Sequence, residues 1–243
     1  MRVAIISDIH GNAYALDAAL ADIEGQAVDH IICLGDAIQG GAQPAETVQR
    51  LRELGCPVVM GNADAWLLTG KETGNEGVTP VQEAVRQWSL ARLTPDDQAF
   101  IAAFEPVIRV PLTENDTLLC FHGSPSSFDD IILPTTPYET VRAHFQEQSA
   151  RWFSGGHTHL QQVRRIGEAT FFNPGSIGVA YDHDQPEDNL RLDPWAEYAI
   201  LTATPASVSL EFRRVPFPVA PLLAILRESD RPHAENLIRE YGG

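Results

Sequence analysis

Positive charge is scarce in this chain. Its 243 residues carry 17 Lys and Arg against 33 Asp and Glu, a formal net charge of −16. A protein that grips duplex nucleic acid or an anionic membrane presents a basic face, and this composition supplies none. Paired cysteine is also missing. Cys33, Cys56 and Cys120 are an odd set, each in an apolar strand-like run, so a disulfide framework is excluded and a reducing compartment fits. No apolar stretch is long enough to span a bilayer. The opening MRVAIISDIHGN holds only a short apolar run before Asp8 and His10, too short for a signal h-region, so a cytoplasmic location is expected. Internal repeats and low-complexity segments are absent too. The length suits one large α/β domain that buries its own core.

What is present reads as alternating strands and helices. Val3–Ser7 is a continuous apolar run, expected as a buried strand. Leu16, Ala19, Leu20 and Ile23 recur at helical spacing before Gly25. A second strand follows in HIICLGD. Pro44 then opens a helix with Val48, Leu51 and Leu54 as its stripe, stopped by Gly55. Pro57–Met60 is expected as a third strand. This β-α-β-α-β order predicts parallel strands whose carboxyl ends collect ligands, and Asp8, Asp36 and Asn62 fall there. Residues 65–105 read as mostly helical, a small cap beside the site, with Thr94 and Pro95 as a helix start and a loop over residues 71–80. Strands dominate again from Val107 as a second sheet with antiparallel members and a hairpin across Gly167. One helix near Tyr138–Gln148 interrupts them. The tail from Pro218 to Tyr241 is expected to carry one or two short helices. The acidic loop Tyr181–Asp193 is expected to be a surface segment.

Five short pieces carry chemistry: SDIHGN, LGDAIQG, GNAD, FHGSP and GGHTHL. Each sets metal-competent side chains just after a strand-like run. Asp8, His10, Asp36, Asn62, His122, His157 and His159 mix oxygen and nitrogen donors, which suits Mn²⁺, Fe or Zn²⁺ better than Ca²⁺ or Mg²⁺. Asp8-x-His10 and His157-x-His159 are i, i+2 pairs, which point the same way in an extended strand. Seven donors exceed the needs of one tetrahedral ion, and a two-metal centre uses them if one carboxylate bridges. His30, His144, His183 and His233 lack companion motifs and read as ordinary surface or core histidines.

In this order the pieces resemble the calcineurin-like metallophosphoesterase superfamily. FHGSP, the THL after His157 and the later NPGSIG (Asn173–Gly178) are similar to its small bacterial and archaeal phosphodiesterase branch. The resemblance implies a single domain over 1–243, a four-layer α/β/β/α sandwich of two mixed sheets flanked by helices. It implies two divalent ions, Mn first, with Fe, Zn, Ni or Co as alternatives. One would be held by Asp8, His10, Asp36 and His159, the other by Asp36, Asn62, His122 and His157, with Asp36 bridging. It further implies hydrolysis of phosphodiesters or nucleotide-type phosphoanhydrides by a hydroxide held between the metals, whose cations depress the pKa of bound water.

Asp36, Asn62, Asp64 and His122 are then the catalytic candidates. Asn12, Asn62 and His122 are the candidate contacts to a small phosphorylated or nucleotide-like substrate. Asp64 reads either as a carboxylate orienting a histidine ligand or as a helix cap, and Asn12 as a substrate contact or a cap. The alternatives are a protein serine/threonine phosphatase or phosphomonoesterase, a non-catalytic protein-binding scaffold on the same fold, and a nucleotide-binding module without turnover. The last lacks a Gly-rich phosphate loop, although Gly40-Gly41 could line a pocket.

The chain departs from the family pattern twice. Ala63 stands where relatives carry a histidine that protonates the leaving oxygen, so good leaving groups are favoured. Val179–Asp184 replaces a Pro-Arg pair, so no arginine stands there to clamp phosphate. Tyr181 and His183 read equally as substrate contacts or as solvent-facing loop residues.

Overall fold

The structure is a computed structural model that describes residues 1–71, 77–186 and 189–243. The expected loops over 71–80 and 181–193 therefore lie partly outside the described residues.

Nine strands form two mixed sheets among the described residues. In the first, β1 (Arg2–Ile6) pairs in parallel with β2 (His30–Cys33) and antiparallel with β8 (Trp195–Ala203), which pairs with β9 (Val208–Pro216). In the second, β4 (Thr117–Cys120), β5 (Trp152–Ser154) and β7 (Ala169–Asn173) run parallel. There β3 (Ile108–Pro111) and β6 (Gln162–Ile166) form the antiparallel edges.

The alternation of side chains along each strand builds the layers. Val3 and Ile5 of β1 face Leu118, Cys120 and Phe172 of the other sheet, forming an inter-sheet core. Ala4 and Ile6 face the opposite way. They pack on Leu16, Ala19 and Ile23 of α1 (Ala13–Glu24), Val48 and Leu51 of α2 (Pro44–Leu54), and Leu222 and Leu226 of α7 (Val219–Glu228). Leu119 of β4 faces a third core with Val141 and Phe145 of α6 (Tyr138–Phe145). Three cores between four layers make the α/β/β/α sandwich.

The helices α3 (Asn62–Thr69), α4 (Pro80–Leu90) and α5 (Pro95–Ala102) fill the segment expected to be helical, and Thr94 closes a capping box with Asp97. Leu67, Leu93, Ile101 and Phe104 from this segment join the helix-side core. The helix α8 (Ala234–Glu240) ends the chain beside α7. No helix among the described residues is long and apolar enough to cross a membrane.

One element differs from expectation. Pro57–Met60 makes only single-residue bridges, Val58 with Cys33 on one side and Val59 with Glu105 on the other. Two valines lie between those neighbours before Gly61 turns the chain into α3, too short a run for a ladder.

Asp22 of α1 ties the helix layer to the first sheet. Its carboxylate accepts from Tyr198 Oη at 2.5 Å and from Arg213 Nε and Nη2 at 2.7 and 3.0 Å. The Arg213 bonds hold its pKa below 3.8, against the opposing effect of burial and with help from Tyr198. A depressed acid stabilises the fold above its unfolded pKa and loses that contribution as pH falls through the folded value. Asp22→Asn should therefore cost about 1 kcal/mol near neutral pH. Thermal melts of the two proteins should converge as pH drops below 3.8. A gap that persists unchanged to about pH 2 would rule out the ion pair as its source.

Candidate metal centre

The parallel strands deliver their carboxyl ends to one rim. Asp8 follows β1, Asp36 follows β2, His122 follows β4, and His157 and His159 follow β5. Backbone bonds between the loops hold the rim together. Asp8 N donates to Gly35 O, His10 N to Asp36 O, Gly156 N to His122 O and Ile177 N to Ser7 O, all between 2.9 and 3.0 Å.

The donors gather in two groups: Asp8, His10 and His159, then Asp36, His122 and His157, with the ligand atoms of each within 4.8 Å of one another. His159 Nε2 lies 3.3 Å from Asp8 Oδ1 and 3.0 Å from His10 Nε2. His122 Nε2 lies 3.3 Å from Asp36 Oδ2 and 2.9 Å from Asn62 Oδ1. Asp36 Oδ2 is also 3.9 Å from His10 Nε2, so this carboxylate stands between the groups. All seven residues predicted as ligands converge. The extended i, i+2 geometry expected for two pairs does not occur. Asp8 and His10 have φ of 53° and 50°, and His157 and His159 of 67° and 55°. His157 and His159 belong to different groups, whereas Asp8 and His10 share one.

Asp36, at φ 49°, makes a fifth donor in the left-handed region. That region costs a side-chain-bearing residue on the order of 1–2 kcal/mol. Such strain persists where the surroundings over-determine it, and it clusters at functional sites. Close backbone approach supplies the constraint. A Cβ added at Gly61 would meet Asp36 Oδ1 at 2.1 Å and Asp36 N at 2.2 Å.

Hydrogen bonds orient the donors from behind. His10 Nδ1 lies 2.9 Å from Gln39 O, and His122 Nδ1 2.8 Å from Leu34 O. These contacts leave each Nε2 toward the centre. Asp36 Oδ1 accepts from Ala63 N, and Asp8 Oδ2 from His157 N. Asp8 Oδ1, fully buried, has no hydrogen-bond partner. Such an atom costs free energy unless something compensates it.

The charges respond to this crowding. Burial opposes the ionised form of Asp36, but His122 overrides it and holds the carboxyl well below the usual range. Burial likewise opposes charge on His122, yet Asp36 raises its imidazole to about 10. His159 is raised beside Asp8 in the same way, against burial. His10 and His157 are lowered, first by burial and then by His159 and His122 respectively. The two buried carboxylates thus favour a proton on His122 and on His159. Divalent cations would suit the site for the same reason, held by the two donor groups and taking the place of protons there.

One predicted role changes, that of Asp64, and Asn12 takes the cap reading. Asp64 touches no histidine and does not cap α3, whose N-cap is Gly61. Its oxygens accept from Ala37 N and Ile38 N at 3.0 Å, so it holds the loop just after Asp36. Burial and the neighbouring Asp36 push it up to about 7 despite those two donors. Asn12 caps α1 through Ala15 N while its amide nitrogen donates to Gly178 O.

Of the other histidines, His30 is exposed, His144 pairs with Asp130 at 3.3 Å and His233 with Glu235 at 3.6 Å. His183 stacks on Tyr181 at 4.3 Å, and Tyr181 meets His159 edge-on at 6.0 Å. Sequence reasoning missed the support given by Ser176 Oγ, which donates to Asp8 O at 2.7 Å, and Asn173 Nδ2, which donates to Gly156 O at 2.6 Å. Both stand in NPGSIG, where the motif marked them without a role.

Residues 1–193 match the calcineurin-like phosphoesterase superfamily domain. The chain belongs to that superfamily. Over 99% of its length it superposes on 97% of a metallophosphoesterase crystal structure from Sphaerobacter thermophilus, with a TM-score of 0.75 and 26% identity. A hypothetical protein from Pyrococcus horikoshii gives a TM-score of 0.83 at 18% identity, covering 98% of this chain and 96% of that one, which speaks to the fold alone. An uncharacterized protein of Methanocaldococcus jannaschii is 48% identical over 71 residues, a match that spans 29% of each chain.

Metal analysis of the Mn²⁺-loaded protein should find about two ions per chain. Gly61→Ala should reduce that to about one or fewer, because Asp36 must move. Full occupancy in Gly61→Ala would separate Asp36 from metal binding.

Proposed function

We propose that this superfamily member is a metal-dependent phosphoesterase that prefers phosphodiesters or nucleotide-type phosphoanhydrides. The observation that carries the reading is the pair of donor groups with Asp36 Oδ2 between them, 3.3 Å from His122 Nε2 and 3.9 Å from His10 Nε2. Two divalent ions bound there would activate water and neutralise charge on the phosphoryl oxygens.

The chain's own residues do the positioning. Asp8 and Asp36 supply the negative charge that retains cations, and their buried setting keeps competing water away. His122, fixed through Leu34 O, and the Asn62 amide stand side by side, where the amide N–H₂ can donate to a substrate oxygen. The Ala63 methyl can donate no proton, so a leaving group must depart with its own negative charge. That favours anhydrides and aryl esters over alkyl esters. Mixed nitrogen and oxygen donors favour Mn²⁺ among the divalent ions. A protein-binding scaffold would tolerate loss of these donors, and all seven are in place here.

A matrix of metals against substrates tests this. Wild type with Mn²⁺ should turn over bis(p-nitrophenyl) phosphate faster than phosphopeptide, whereas Asp36→Ala and His122→Ala should each lose at least about a hundredfold. Full turnover in both variants would show the site to be wrongly assigned. Ala63→His should raise turnover of esters with basic leaving groups by about tenfold and leave aryl esters nearly unchanged. An equal effect on both ester types would remove the explanation based on a missing acid.

A further inference from the structure

A cavity of about 190 Å³ opens beside the first donor group, with His10 and His159 in its lining. Its far wall is apolar: Val179, Leu222, Leu226 and Leu237. Three of these come from α7 and α8, beyond residue 193, where the family match ends. Among the described residues, no carboxylate lines this space, and Arg231 is its one guanidinium. Burial lowers Arg231 to about 10, so it stays charged at neutral pH.

The wall is locked to the metal-ligand loops. Arg231 Nε donates to Gly40 O at 2.7 Å, and Nη1 to Pro232 O and His233 O. Asp230 and His233, on either side of it, have φ of 50° and 57°, so these bonds hold a strained turn between α7 and α8. Gly40 adjoins Gln39, whose carbonyl contacts His10 Nδ1. At the other side Tyr241 Oη donates to Gly178 O at 2.8 Å, and Gly178 N donates to Asp8 O. The space is therefore preformed and shares its supports with the donors.

The geometry points to this cavity as the site for the organic group of a phosphoester, a single planar ring of aryl or nucleobase size, held while the phosphate lies at the donor groups. The inference rests on the phosphoesterase reading above and extends it to a substrate class. Size argues for a ring: an apolar cavity of about 150 Å³ is enough to bind benzene. A preformed apolar pocket with a few fixed polar groups is the usual form of a small-molecule site.

Calorimetric titration of the Mn²⁺-loaded protein with phenyl, methyl and hexyl phosphate tests it. Phenyl phosphate should bind at least about tenfold tighter than methyl phosphate, and hexyl phosphate no tighter than phenyl. Leu237→Trp, at a partly exposed position, should cut the phenyl-to-methyl ratio to about threefold or less by filling the space. Ala42→Leu narrows the same cavity from the opposite loop and serves if the first variant fails to fold.

Equal affinities for phenyl and methyl phosphate, a preference for hexyl, or an unchanged ratio in a folded variant would overturn the assignment. Turnover of bis(p-nitrophenyl) phosphate by the same preparation separates the two ideas. Turnover without ring preference sinks this inference alone, whereas no turnover with any metal removes the phosphoesterase reading and this inference with it.

Discussion

Two buried carboxylates set the terms for everything around them. Asp8 and Asp36 are 0% and 3% exposed, among four imidazoles, with Asp8 Oδ1 facing His159 Nε2 at 3.3 Å. Unpaired charge at that depth is costly, so the site is stable only with compensating positive charge. The raised imidazoles of His122 and His159 can supply part of it, against the opposing effect of burial. Divalent cations supply it well. The crowding that makes the apo site costly is what makes it bind metal.

The sandwich exists, in this sense, to hold that crowding in place. Parallel strands in each sheet bring their carboxyl ends to a common rim, and backbone bonds such as Ile177 N to Ser7 O tie one sheet's loops to the other's. The five donors in left-handed conformations show the force of the constraint, since each would relax if the loops could move. Gly61 allows the approach on one side, and Asp64 fastens the loop after Asp36 on the other. The C-terminal helices add a wall to the same rim through Arg231 and Tyr241.

Most of the architecture was legible in sequence because strong local signals agreed with the fold. The apolar runs around β1, β2, β4 and β7, the Thr94–Pro95 helix start and the Gly167 hairpin all form where the residues place them. Pro57–Met60 failed because an apolar run says nothing about how many partners lie beside it. The donor residues were legible as a set, since motif order survives any local geometry. Their left-handed backbone was not, because Asp and His tolerate that region without advertising it as glycine does. Asp64 reads in sequence as a histidine-orienting carboxylate or a helix cap, because its neighbours are donors and a helix start, whereas its hydrogen bonds run to Ala37 and Ile38. The cavity wall was invisible: Leu222, Leu226 and Leu237 look like ordinary core stripes, and only tertiary packing brings them beside His10 and His159.

Seven scattered side chains converge where a pair of cations would be coupled if Asp36 is shared between them. Electron paramagnetic resonance of the protein loaded with about two equivalents of Mn²⁺ tests that sharing directly. Bridged ions should give the broad multiline spectrum of an exchange-coupled pair, and Asp36→Ala should abolish it. The simple sextet of isolated Mn²⁺ in the fully loaded wild type would contradict a shared centre.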